Sequence, residues 1–273
     1  MSLLDLPLKN APLVFIDTET TGLRPDLGHR VVEIAALRTD GLQPVAEFSV
    51  LINPQRALDP GAMAVNGITP DMVADAPVFA EILPQLNELL AGAVVVMHNA
   101  PFDMGFLEAE YSIAGQSIAP EVVLDTLMLA RRQYYFPSNS LGNIARTLNI
   151  PTPNAHRAMG DVLTTFAVFR RFAGDLTREN RPLVRDWLRM QGGVVWQPQF
   201  SADHLPADDP LRIALTERRK LRIQYRANGG KITERIIEPR TLSGQYLVAY
   251  CHLRHDQRTF RLDNIISMEI LNL

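Results

Sequence analysis

The stretch Val14-Phe15-Ile16-Asp17-Thr18-Glu19-Thr20-Thr21-Gly22 constrains this chain more than any other. An apolar run ends in two carboxylates spaced i, i+2. Along an extended strand alternate side chains share a face, so Asp17 and Glu19 stand side by side. Two adjacent carboxylates at the end of a buried strand repel each other unless a cation sits between them. A divalent metal is the natural candidate.

Around that strand the hydrophobic pattern predicts an α/β fold. Leu13 to Asp17 reads as a buried strand, and Val31 to Thr39 with Val45 to Ile52 as a hairpin turning at Gly41-Leu42-Gln43-Pro44. Pro54 to Asp75 reads as irregular. Phe79 to Leu90 has helical periodicity and stops at Gly92. Val94 to Met97 is a short buried strand, followed by a helix over 102–113 and a strand over Val122 to Asp125. Further helices are expected at 126–134, 140–149 and 158–173. Strands first, then strand and helix in alternation, argue for a sheet covered by helices. The segment 175–208 reads as a linker with a helix near 180–190. From Leu221 come short β-like runs at 221–227, 232–240, 245–251, 258–262 and 265–270, the first two joined by Asn228-Gly229-Gly230. They predict a small all-β unit.

Charge separates the same two regions. The chain of 273 residues has a net charge of −3, but residues 1–208 carry −8 and residues 209–273 carry +5. A basic small domain behind an acidic one suggests a polyanionic partner for the former. Cys251 is the one cysteine, which excludes an internal disulfide and a multi-cysteine zinc site and fits the reducing cytoplasm. No apolar run approaches the ~20 residues of a membrane span, so no membrane partner is expected.

Further acidic residues and a histidine recur where such a sheet can gather them. Asp103 starts the helix after Val94 to Met97, and His156 and Asp161 flank the start of the helix near 158. Three patterns then carry a resemblance: Asp17-Thr18-Glu19-Thr20-Thr21-Gly22; His98-Asn99-Ala100-Pro101-Phe102-Asp103 with Phe106-Leu107; and His156-Arg157-Ala158 with Asp161 and Thr165. In this order they resemble the three motifs of the DEDDh exonucleases, the family of the proofreading subunits and domains of bacterial replicative polymerases. The resemblance covers residues 10–174. It implies an RNase H-like mixed sheet flanked by helices and 3′→5′ exonuclease chemistry. It also implies that Asp17, Glu19, Asp103 and Asp161 hold two Mg²⁺ or Mn²⁺ ions, with Asp17 bridging both and His156 as general base.

The residue types suit that chemistry. Hard oxygen ligands favour Mg²⁺ and Mn²⁺. Two such ions about 3.5–4 Å apart stabilise attacking and leaving oxygens in phosphoryl transfer. A neutral imidazole can take a proton near neutral pH. By the same resemblance Thr20, Thr21, Gly22 and Leu23 lie beside the terminal nucleotide, Val65, Asn66 and Phe102 line its pocket, and His98 with Asn99 organises the loop or meets substrate. The implied partner is the 3′ end of a single strand, DNA favoured over RNA, with a polymerase or repair protein nearby. Alternatives are an RNA-processing exonuclease, or a regulatory module that uses the fold for binding.

In the basic region Ile223-Gln224-Tyr225, Arg235 to Pro239, Tyr246 to Cys251 and Arg258 to Asp263 with Ile265 resemble a WYL domain over 209–273. Gln245 stands where the family usually has Trp. The resemblance implies a small Sm/SH3-like barrel that senses or grips nucleic acid, with Tyr225, Tyr246, Arg254, Arg258 and Arg261 as a binding face. Arginine forks suit phosphates, and tyrosine offers a stacking surface.

Overall fold

In the computed structural model the chain forms two compact units, Met1–Trp196 and Gln197–Leu273. The structure describes residues 2–153, 155–176, 183–196, 205–206, 208–226, 231–243 and 246–271. No described helix is long and apolar enough to cross a membrane.

The first unit runs β1 (Pro12–Thr20), β2 (Val31–Asp40), β3 (Gln43–Leu51), α1 (Pro60–Asn66), α2 (Pro70–Val73), α3 (Phe79–Leu90), β4 (Val94–Met97), α4 (Ala100–Ile113), β5 (Val123–Asp125), α5 (Thr126–Gln133), α6 (Leu141–Thr147), α7 (Ala158–Leu176) and α8 (Val184–Gln191). Its sheet has the order β3-β2-β1-β4-β5. The β1–β2–β3 meander is antiparallel, and β4 and β5 join parallel to β1. This is the mixed, helix-flanked, RNase H-like sheet expected from the sequence.

Leu13 to Ile16 is uninterrupted in its apolarity because both faces of β1 are covered. Leu13 and Phe15 pack with Val162, Phe166, Phe169 and Phe172 of α7. Val14 and Ile16 face the other way, among Phe79, Leu83 and Leu86 of α3 and Met104, Phe106 and Leu107 of α4. The alternation carries past the apolar run. Asp17 and Glu19 therefore fall on the α7 face and Thr18 on the α4 face.

Two segments differ from the sequence reading. The stretch 54–75 holds α1 and α2, each opened by a proline at its first position after Asp59 or Thr69. These helices are too short for a periodic hydrophobic face, so only their caps could have announced them. Within 175–208, α7 extends to Leu176 and α8 is part of the first unit's core. Trp187 is fully buried there. The Gln191 side chain accepts from Asp125 N at 2.8 Å and donates to Val123 O at 3.0 Å, completing the open edge of β5.

The second unit has α9 (Pro210–Thr216), β6 (Leu221–Arg226), β7 (Ile232–Ser243), β8 (Tyr246–Cys251), β9 (Asp256–Arg261) and β10 (Ile265–Ile270). Its antiparallel sheet has the order β10-β6-β7-β8-β9. This is the small β unit expected from the sequence, with α9 laid on its sheet: Leu211 and Ala214 are buried among Leu221, Ile223, Ile237, Leu247, Ala249, Cys251 and Phe260. Asp209 caps α9 by accepting from Leu211 N at 2.8 Å. The predicted turn at 228–230 and Gln245 lie outside the described residues.

Candidate active site

Three of the predicted carboxylates meet. Asp17 and Glu19 come from the end of β1, and Asp161 from the first turn of α7, which covers the same face. One oxygen from each lies within 4.8 Å of the others. Crowding and burial drive their protonation up. Glu19 is pushed to about 7 by burial first and then by Asp161, against a lowering hydrogen bond from Asn66. Burial, then the charges of Asp103, Asp161, Glu19 and Glu33, raise Asp17. Burial raises Asp161, while the backbone bond from His156 and the nearby imidazole lower it. An oxygen-only cluster in which the Asp161 charge raises the pKa of both Asp17 and Glu19 fits a hard divalent cation.

Asp103 stands apart from this trio. It is buried in the first turn of α4, and its Oδ1 accepts from both Thr18 N (3.0 Å) and Thr18 Oγ1 (2.7 Å). Burial pushes its carboxyl up to about 7 despite those bonds. Its charge is still the largest electrostatic influence on Asp17.

His156 lies on an exposed loop with a left-handed backbone, φ 63°. Its N–H donates to Asp161 Oδ2 at 3.2 Å, which ties the loop to the cluster. The motif neighbour Arg157 sends its guanidinium to Glu33 on β2 at 3.0 and 2.7 Å. Glu33 and Thr18 escaped the sequence reading. Their register beside Glu19 and Asp17 was the only available signal.

The loop after β1 is closed internally. Thr20 Oγ1 donates to Gly22 O at 2.6 Å, Thr21 N donates to Arg30 O at 2.8 Å, and Thr21 Oγ1 accepts from Arg30 N at 3.0 Å. A Cβ at Gly22 would come within 2.4 Å of the His29 ring, so any side chain there would push the imidazole from its place beside Thr21. Leu23 and Val65 are not core residues; they are 78% and 59% exposed. Phe102 is half-buried against Phe106, with ring centroids 5.1 Å apart.

Three residues expected near substrate carry other bonds in the structure. Asn66 is buried, bonded to Glu19, and accepts from Ile68 N at 3.0 Å, so its amide is committed within the chain. His98 has both ring nitrogens engaged, by Thr126 Oγ1 at 2.8 Å and Asn139 O at 3.1 Å, which leaves none for substrate. Burial lowers its pKa to about 4, so the ring is neutral. Asn99 exposes its side chain, but its backbone is committed: φ is 69°, and its N–H donates to Asp125 Oδ1 at 2.9 Å.

In the second unit Tyr225 packs edge-on against Phe260 with centroids 5.2 Å apart, and its hydroxyl accepts from Arg261 N at 3.4 Å. Arg235, which the sequence reading gave no role, lies 5.4 Å from the Tyr225 ring centroid. Arg254, Arg258 and Arg261 are exposed. Arg258 and Arg261 are an odd number of residues apart on a regular strand, so they lie on opposite faces of β9 and the five residues do not form one face. The Tyr246 side chain lies outside what the structure describes.

Comparison with known proteins agrees with this geometry. A family model described as an exonuclease, RNase_T, matches residues 14–169, and a WYL domain model matches 208–270. A DNA polymerase III subunit epsilon-like protein of Rhodobacter capsulatus is 38% identical over 175 residues, covering 62% of this chain and 25% of that protein. The chain thus spans about a quarter of that relative's length. The DNA polymerase III subunit epsilon of Treponema pallidum is 36% identical over 169 residues, covering 60% of this chain and 77% of the relative. Among solved structures, Exonuclease X in complex with 5′ overhanging duplex DNA superposes with a TM-score of 0.51 at 27% identity, covering 66% of this chain and 99% of that one. With its motifs, sheet order and carboxylate trio in place, the chain belongs to the exonuclease family whose model it matches over 14–169, with a WYL domain behind it.

Proposed function

We propose that the protein is a metal-dependent exonuclease that hydrolyses the terminal phosphodiester bond at the 3′ end of single strands, DNA in preference to RNA, and releases nucleoside 5′-monophosphates. The observation that carries this reading is the meeting of Asp17, Glu19 and Asp161 within 4.8 Å. These three residues would hold two Mg²⁺ or Mn²⁺ ions, and Asp103 adds a fourth carboxylate. When bound, such ions activate water and stabilise the attacking and leaving oxygens.

The chain's own groups do the rest. The His156 imidazole takes the proton of the attacking water. Asn66 and Thr18 orient Glu19 and Asp103. Leu23 and Val65 offer apolar surface to the terminal base, with Phe102 behind them, and the Thr20–Gly22 backbone faces sugar and phosphate. Contacts of these kinds do not read base edges. The exposed arginines of the second unit grip the strand's phosphates and offset the acidic charge of the first unit. The setting is the cytoplasm, beside a polymerase or repair protein that presents 3′ ends.

The test incubates 3′- and 5′-labelled single- and double-stranded DNA and RNA with Mg²⁺, Mn²⁺ or EDTA, alongside Asp17→Ala. Mononucleotides should appear first from the 3′ label, and only with metal and intact Asp17. Activity surviving both EDTA and Asp17→Ala would sink the mechanism. Faster loss of RNA than DNA would reverse the substrate preference.

A further inference from the structure

Glu33 is a buried carboxylate for which the chemistry above has no use. It stands on β2 directly across from Glu19 of β1. Its charge adds to the burden on Asp17 and Glu19, which it helps to keep protonated. A structure tolerates such a group where its bonds matter.

Those bonds all go to one short segment. Arg157 Nε and Nη2 donate to the two carboxylate oxygens of Glu33 at 3.0 and 2.7 Å. Ala158 N donates to the same carboxylate at 3.0 Å. Ala158 opens α7, and its N–H is among the donors a helix start leaves without an intrahelical partner. A side chain from the neighbouring sheet therefore closes the helix that carries Asp161. The residue just before this fork is His156, held at φ 63°, a region unfavourable for a residue with a Cβ. Three bonds to one rigidly seated carboxylate fix the chain on the C-terminal side of that residue, and the His156 N–H to Asp161 bond fixes it from within.

We infer that Glu33 is a positioning residue for the cleavage reaction. Through the Arg157 fork and the Ala158 N–H it sets where the His156 imidazole stands relative to the Asp17–Glu19–Asp161 cluster. The inference rests on the exonuclease reading above. The planar fork is essential to it, since a lysine at 157 offers one point charge and cannot hold both oxygens in register.

The test compares wild type, Glu33→Gln, Arg157→Gln and Arg157→Lys, each also combined with His156→Ala. Three readouts are taken: backbone amide exchange at residues 155–161, Mn²⁺ affinity by calorimetry, and steady-state cleavage of a labelled single strand. Each single variant should speed exchange at Ala158 and its neighbours about tenfold and leave Mn²⁺ affinity within about threefold. Misplacement of the base by about 1 Å should lower kcat about 100-fold with KM within about twofold. In the His156→Ala background the same changes should cost no more than about threefold, because they act through the imidazole. Should Glu33→Gln fail to fold, the Arg157 variants, at a half-exposed position, give the same readings. Unchanged exchange at Ala158, unchanged kcat, or an equal loss with and without His156 would overturn the inference. Wild-type protein that cleaves no strand would instead overturn the exonuclease reading on which it stands.

Discussion

Thr18 gives both its backbone N–H and its hydroxyl to one oxygen of Asp103, at 3.0 and 2.7 Å. The two residues are 85 positions apart and meet because β1 alternates. Asp17 and Glu19 face α7, while Thr18 between them faces α4 and so receives the first-turn carboxylate of that helix. One strand end thus serves two helices from opposite sides of the sheet, and the fourth acidic residue is held at one remove from the other three.

Thr18→Val keeps the volume of the side chain and removes one of the two donors. The hydrogen bonds from Thr18 lower the Asp103 pKa against a burial effect that drives it up. At pH 8 in EDTA, with Asp103 ionised, urea unfolding should report a loss of about 1–3 kcal/mol. At pH 5, with Asp103 protonated, the loss should shrink, because a hydroxyl stabilises a charged acceptor more than a neutral one. Equal losses at the two pH values would contradict this account.

The cluster as a whole should make the metal-free protein less stable as pH rises. Glu19 and Asp103 titrate near 7 in the fold instead of near their ordinary values of 4.5 and 3.8. Asp17 and Asp161 shift in the same direction. Between those ordinary values and about 7 the folded chain retains protons that the unfolded chain has lost. Stability is therefore fullest at low pH and declines as pH rises through about 7, the reverse of a salt-bridged carboxylate. Thermal melting in EDTA from pH 5 to 8 should show that decline, and Glu19→Gln should flatten it. Saturating Mn²⁺ should abolish it, since a bound cation replaces the protons and favours the ionised carboxylates. A melting temperature that climbs from pH 5 to 8 without metal would refute the electrostatic picture.

The sheet was legible in the sequence where one pattern dominated. Val94 to Met97 and Phe79 to Leu90 have the predicted bounds because a four-residue apolar run and a long amphipathic helix are each unambiguous. Asp17 and Glu19 were legible because carboxylates at an abrupt strand end are costly without a purpose, whereas Asp103 and Asp161, in the first turns of helices, were marked only by the resemblance of their motifs. What escaped was cross-strand and cross-helix bonding. Nothing in the sequence near Glu33 announces that Arg157 will reach it, and nothing beside Asn66 announces Glu19. His98 read as a loop residue with a choice of partners, and only the approach of Thr126 and Asn139 decides that its ring is spent internally. The helix of α8 was legible near 180–190, but its place in the first unit's core was not, although its Trp187 is among the largest buried side chains.

The second unit makes a prediction about salt. Arg258 is exposed on β9 with its face separated from that of Arg261. If it meets one strand phosphate, Arg258→Ala should lower the slope of log K against log salt by about 0.7, the value for one phosphate of a single strand. Binding measured by anisotropy with Ca²⁺ in place of the catalytic metal separates this from cleavage, and kcat should stay within about twofold. An unchanged salt slope would remove Arg258 from the nucleic-acid surface.

Arg30 and Glu110 form the ion pair that governs the loop after Glu19. Glu110 on α4 is almost wholly buried; it accepts from Arg30 at 2.8 and 2.7 Å and from Val31 N at 3.0 Å. Arg30 in turn brackets Thr21, giving its N–H to the hydroxyl and taking the Thr21 N–H on its carbonyl. Arg30→Met should therefore do two things. It leaves a buried carboxylate with only a backbone donor, which should cost about 3–5 kcal/mol in urea unfolding. It also unties residue 30 from α4 while leaving its backbone bonds to Thr21, so the Thr20–Leu23 segment loses its anchor to that helix; KM for a single strand should rise at least about fivefold while His156, on a different loop, keeps its place and kcat falls much less. Replacing the pair together, Arg30→Met with Glu110→Leu, removes the stranded charge and should recover most of the stability, because an apolar pair of similar volume substitutes well for a buried ion pair. It should not recover KM, since the loop still lacks its tether to α4. Recovery of both would mean that the pair serves stability alone.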